Sequence, residues 1–154
     1  MHPVRVSTDV PNPAEEVYDF LDVMANHEPF TDHMLQDWRY SGPDRGIGSK
    51  ARVTVKAAGR SETVDIEVIA GERPHSIVER NVGAGGRRIA TGTYTLESLP
   101  DGGTRIVFEY AWKQAPLRER IAAPLVRAIL RRGNQRAMAR LAEQLTAVEI
   151  VRVA

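Results

Sequence analysis

The chain has 154 residues, a net charge of +1 and no cysteine. The length favours one domain with room for a real core. The near-neutral balance gives no bulk attraction for nucleic acid, so no DNA partner is expected, and the missing cysteine excludes disulfides, thiolate metal sites and cysteine nucleophiles.

Val4, Val6, Thr8 and Val10 alternate with Arg5, Ser7 and Asp9, the pattern of a strand with one buried face. Pro11-Asn12-Pro13 stops it. Asn12 can cap a helix beginning at Pro13, and Glu15 and Glu16 suit its positive end. Val17, Phe20, Leu21 and Met24 then predict a short amphipathic helix over 13–22. A second short helical piece is expected over 23–32, with His27, Glu28, Pro29 and Phe30 in it and His33 at its end.

From Met34 onward the pattern is strands and turns. Met34–Ser41 carries Trp38 and Tyr40 and ends at Gly42-Pro43. Ala51, Val53, Val55 and Ala57 share one face; after Ala58-Gly59-Arg60, so do Glu62, Val64, Ile66 and Val68. Ser76–Val82 has open facing, because Ile77 and Val78 are adjacent. Arg88–Leu99 places Gly92, Tyr94 and Leu96 together. Pro100-Asp101-Gly102-Gly103 is a hairpin signal, and Ile106, Phe108, Tyr110 and Trp112 close the series on one face. Short turns between consecutive strands imply antiparallel pairing.

The last element, 117–148, reads as one long amphipathic helix. Leu130, Asn134, Ala137, Met138, Leu141 and Leu145 recur at three- and four-residue spacings, and Leu117, Ile121, Leu125 and Ile129 do so in the first half. A lone helix cannot bury such a stripe, so the strands must cover it. The expected fold is therefore α+β: a curved seven-stranded antiparallel sheet around a long C-terminal helix, with two short helices after the first strand. This helix holds seven arginines against Glu119 and Glu143, a net of +5. That is either a solvated face or a surface for acidic partners such as RNA or anionic lipid, and the helix has no aromatic residue on which a base could stack.

No apolar run approaches the roughly 20 residues that span a bilayer. The opening MHPVRVSTDV lacks a signal-peptide pattern, and a cytoplasmic location is expected.

Three segments in their order resemble a known superfamily: Val10-Pro11-Asn12-Pro13-Ala14-Glu15-Glu16-Val17-Tyr18-Asp19-Phe20-Leu21, the turn Gly42 to Lys50 with Gly46 and Gly48, and the late hairpin from Gly92-Thr93-Tyr94-Thr95-Leu96 to Gly103-Thr104-Arg105. The chain is similar to the START-like (SRPBCC, helix-grip) proteins, within them to the polyketide cyclase/dehydrase and lipid-transport group. The likeness runs over about 3–147 of a single domain, leaving 148–154 as a tail. It implies a cavity between the concave sheet face and the last helix, holding a hydrophobic or amphipathic guest that some members transform and others only carry. It implies no shared catalytic triad, and one fold hosts many functions.

The candidate residues follow from that cavity. Glu62 shares parity with Val64; in an apolar cavity its carboxyl would titrate high and serve as an acid or base, whereas at a strand end it would stand in water. Glu79 and Asn81 face inward if Ile77 does. Tyr94, Phe108, Tyr110 and Trp112 are either ligand-lining rings or core. Asn134 and Met138 on the helix stripe and Phe30 in the second short helix complete the lining set; a buried amide at Asn134 needs a partner. His27 and His33, near Glu28 and Asp32, could move protons near neutral pH. Their spacing matches no metal-ligand pattern, and neither metal nor cofactor is expected. Three functions are open. The first is binding or carriage of a small hydrophobic molecule, by a monomer or homodimer. The second is a cyclase or dehydratase using Glu62, Glu79 or His27. The third is an interaction protein using the arginine-rich helix face.

Overall fold

The computed structural model describes residues 1–57 and 59–153. Among them the chain order is β1 (Val4–Val10), α1 (Ala14–Leu21), a 3-10 turn (Met24–His27), α2 (Glu28–Thr31), β2 (Leu35–Ser41), β3 (Lys50–Ala57), β4 (Arg60–Glu72), β5 (Ser76–Gly83), β6 (Arg88–Ser98), β7 (Thr104–Gln114), α3 (Leu117–Ile121) and α4 (Ala123–Val153). The seven strands form one antiparallel sheet, β1-β7-β6-β5-β4-β3-β2. The β6–β7 hairpin turns where the sequence says it must. Gly102 takes φ 89°, which favours glycine, and Leu99 N–H donates to Gly103 O at 2.8 Å. Strand β1 then returns beside β7, with Val6 opposite Phe108.

One face of this sheet is the core. Val4, Val6, Val10, Ala51, Val53, Val64, Ile66, Val68, Ile77, Tyr94, Leu96, Ile106 and Phe108 are buried on it, so Ile77 rather than Val78 faces inward. Helix α1 closes one end through Val17 and Leu21, and α2 adds the fully buried Phe30. On α4, Ala137, Met138, Leu141 and Leu145 are buried in the same cluster. Each large apolar side chain among these contributes about 1.5–3 kcal/mol by leaving water.

Several expectations need correction. Helix α1 starts after Pro13 and has no side-chain cap. The Asn12 side chain turns inward instead, and its Nδ2 donates to Leu145 O at 3.2 Å, tying the first loop to α4. The second short helix is split into a 3-10 turn and one α-turn. The long helix is broken at Ala122, which separates α3 from α4. The first half of its stripe faces out: Leu117, Ile121, Leu125 and Ile129 are all exposed. The reason is register. Counting by fours toward the N-terminus from the buried Met138 and Asn134 gives Leu130, Val126 and Ala122, which are partly buried, and not the bulkier neighbouring row. Helix α4 runs through Gly133 without a break. A Cβ there would run into Met34 Sδ, so this glycine admits the methionine.

Candidate ligand-binding site

Cross-strand pairing sets the inward residues in three neighbouring rows. One runs Val68, Glu79, Gly92, Tyr110 and Val4; the next runs Ile66, Asn81, Ala90 and Trp112; the third runs Ile77, Tyr94, Phe108 and Val6. Ala90 and Gly92 make a low floor in the middle. Glu79 and Asn81 stand on one side of it, Tyr110 and Trp112 on the other. A Cβ on Gly92 would lie 3.0 Å from the Phe108 ring, so only glycine lets that ring settle over the floor. The rings pack edge to face or tilted, with Tyr94 and Phe108 centroids 4.8 Å apart and Tyr110 and Trp112 5.0 Å apart. Tyr94 and Phe108 are buried, whereas Tyr110 and Trp112 are only partly so. The row therefore runs from a closed end near Phe30 to an open end near α3.

At the closed end a second short element reaches the sheet. His27, 3% exposed, lies with Nε2 2.6 Å from Leu21 O. A carbonyl only accepts, so Nε2 carries the proton and Nδ1 faces Glu79 Oε1 at 3.3 Å. That contact is off the hydrogen-bond line, and Glu79 Oε1 has no hydrogen-bond partner. Burial pushes the Glu79 carboxyl above the usual range, and His27 pulls it partly back. The Tyr94 ring meets the imidazole edge-on at 5.6 Å, and Phe30 flanks it at 5.4 Å. Burial, with Glu79 adding to it, holds the Tyr94 phenol well above its ordinary value. From α4, Asn134 is 5% exposed, and its Nδ2 also lacks a partner.

Glu62 shares the inward face, yet it stands neither free in an apolar cavity nor open to water. Arg88 bridges it to Glu119 of α3, a cluster made by three separate elements. Gly83 makes room for it: a Cβ there would lie 2.8 Å from Arg88 Nη1. Tyr110 sits beside this cluster and is pushed up to about 12, chiefly by burial. His33 lies apart from His27. Its Nε2 donates to Gly133 O at 2.9 Å, and Arg140 Nη1 donates to its Nδ1 at 3.0 Å while also pairing with Asp32. Glu28 accepts from Tyr40 OH at 2.7 Å. Among the described residues, no three His, Cys, Asp or Glu side chains come together as a metal site would need.

Sequence reading missed Arg88 and Glu119, whose meeting depends on where α3 starts. It also missed the Ala90–Gly92 floor, whose signal was two small residues alternating toward Tyr94 on one strand face. A broad open hollow of about 540 Å³ lies elsewhere, lined by Arg5, Ser7, Glu97, Arg105, Val107 and Gln135. Its walls are mostly outward-facing strand side chains with no aromatic ring, so it is a poor seat for an apolar guest.

A curved antiparallel sheet gripping a C-terminal helix, with polar groups buried among rings on its inner face, defines the helix-grip class. The model of the family described as polyketide cyclase / dehydrase and lipid transport matches residues 1–146, and the chain belongs to that family. Solved structures share the fold. The Zhui aromatase/cyclase of Streptomyces sp. R1128 superposes with a TM-score of 0.75 at 15% identity, covering 94% of this chain and 93% of that one. A protein of Thermus thermophilus gives 0.73 at 18% identity, over 96% and 99%. A protein of the dynemicin biosynthetic locus gives 0.65 at 23%, over 94% of this chain and 47% of that one. No curated protein matches the chain by sequence.

Proposed function

We propose that the protein binds a small hydrophobic or amphipathic molecule between the concave sheet face and α4. Its apolar body would lie over Ala90 beside Tyr110 and Trp112 at the open end of the row, against the Phe108 ring that covers Gly92, with a polar end toward Glu79, Asn81 and Asn134. One observation carries this reading. Glu79 Oε1 and Asn134 Nδ2 are buried without hydrogen-bond partners on the facing sheet and helix. Each such group costs about 1–3 kcal/mol, which a guest's hydroxyl or carbonyl would recover. Family membership and the fold it shares with an aromatase/cyclase support the same class of guest. Native mass spectrometry of the purified protein tests it. The expected result is a bound small molecule released by organic solvent, retained less well by Asn134→Leu. An empty protein that also takes up no fatty acid, naphthol or steroid would reject it.

A second reading is favoured by the His27–Glu79 pair. A buried imidazole and carboxyl in contact can take a proton from a carbon beside a carbonyl and return one to a departing hydroxyl, so that water leaves and a double bond forms. That is cyclase or dehydratase chemistry, and loss of turnover in Glu79→Gln is its signature.

A further inference from the structure

We infer that the outer face of α3 and the first half of α4 is a docking surface for an anionic lipid bilayer. Leu117, Ile121, Leu125 and Ile129 are 68%, 75%, 63% and 48% exposed. They follow one another at four-residue steps, Leu117 and Ile121 on α3 and Leu125 and Ile129 on α4, so each side of the break at Ala122 presents an exposed apolar pair. Contiguous exposed apolar side chains on a protein surface mark an interaction site.

The charges around these pairs select the occupant. Arg118, Arg120, Arg131 and Arg132 are exposed beside them. Among the described residues none of these four forms a salt bridge with a carboxylate. The single carboxylate of the segment, Glu119, is turned inward to Arg88. Arg127 is spent on the N-terminal backbone, donating to His2 O at 3.0 Å and Pro3 O at 3.3 Å. What remains is a helix face with apolar side chains in the middle, unpaired guanidiniums around them and no negative charge. Such a helix lies flat in a lipid interface, its apolar side chains among acyl chains and its arginines at phosphate level. A second copy of this chain fits worse, because a two-fold contact would set these four guanidiniums against the same four. RNA would satisfy the arginines and leave the leucines and isoleucines unexplained.

If the protein binds the guest proposed above, these pairs also lie where a bilayer would be useful. The Arg88–Glu119 contact holds α3 beside Tyr110, at the open end of the aromatic row. A guest dissolved in the membrane would then have a short path inward.

Co-sedimentation of the full chain with vesicles tests the docking. The probes are phosphatidylcholine alone and phosphatidylcholine with phosphatidylglycerol. The expected result is binding to the anionic vesicles only, weakened about fivefold by each of Arg131→Gln and Arg132→Gln and by added salt, and abolished by the double variant Ile121→Ser, Leu125→Ser. All the changed residues are exposed, so the variants should keep the parent circular dichroism and melting temperature. Native mass spectra of the same samples report guest retention separately, so failure of docking and failure of the ligand reading fall in different channels. The inference is overturned if the parent ignores anionic vesicles or if the double serine variant binds them as well as the parent. It is equally overturned if sedimentation equilibrium shows a dimer that the same serines dissolve, or if RNA or an acidic protein takes the face in place of lipid.

Discussion

Glu79 is the residue on which the chemistry turns. It sits on β5, 5% exposed, with its Oε1 unsatisfied and His27 Nδ1 at 3.3 Å. Its carboxyl titrates above the ordinary 4.5 because burial disfavours the charge. The sign of the pH effect follows. Above about pH 4.5 the unfolded chain gives up this proton while the folded chain still holds it, so rising pH favours unfolding until the raised folded value is passed. Glu79→Gln removes that term. Its melting temperature should rise relative to the parent as pH goes from 4 to 8, and an unchanging difference would contradict a buried, high-titrating carboxyl. If the second functional reading holds, the same variant also loses turnover on an aromatic polyketide substrate; full retained rate would remove Glu79 from that role.

At the scale of elements, α3 is held by one cluster. Arg88 of β6 lies between Glu62 of β4 and Glu119 of α3. Taking away the guanidinium leaves two carboxylates facing each other in a largely buried place. A fully buried broken pair costs roughly 3–5 kcal/mol, and partial exposure of this one lowers that to about 2 kcal/mol. Arg88→Gln should therefore lower the melting temperature by about 4–8 °C and loosen α3 in hydrogen exchange, whereas Arg52→Gln, at an exposed cross-strand pair with Asp65, should change it little. The sheet was legible in the sequence because its alternation and hairpin turns are local: Ile106, Phe108, Tyr110 and Trp112 share a face whatever lies above them. The cover was only half legible. Two rows at four-residue spacing run along the last helix, and the sequence reading puts both under the sheet, Leu117 to Ile129 in the first half and Leu130 to Leu145 in the second, whereas the row that continues from Asn134 and Met138 runs through Leu130 and Val126. Continuity decides, because the row with the buried end must stay in register with the core.

The molecule as a whole is a sheet that folds over a helix and keeps polar atoms in its interior. Parity placed Tyr94, Phe108, Tyr110 and Trp112 on the inner face, and Glu79 and Asn81 join them once Ile77 is seen to point inward. Nothing local could bring His27 to Glu79, separated by three strands, or Arg88 to Glu119; those meetings exist only in the closed fold. On the proposed function, a guest enters between the inner sheet face at Ala90, its aromatic rings and α4. The most direct measurement is a crystal structure of the protein soaked with 2-naphthol. The predicted result is the naphthalene ring over Ala90, against Phe108, Tyr110 and Trp112, with its hydroxyl in hydrogen-bond reach of Glu79 or Asn134. Naphthol seated only in the outer hollow beside Arg5 and Arg105, with the inner rings unmoved and the space between them closed, would contradict the account.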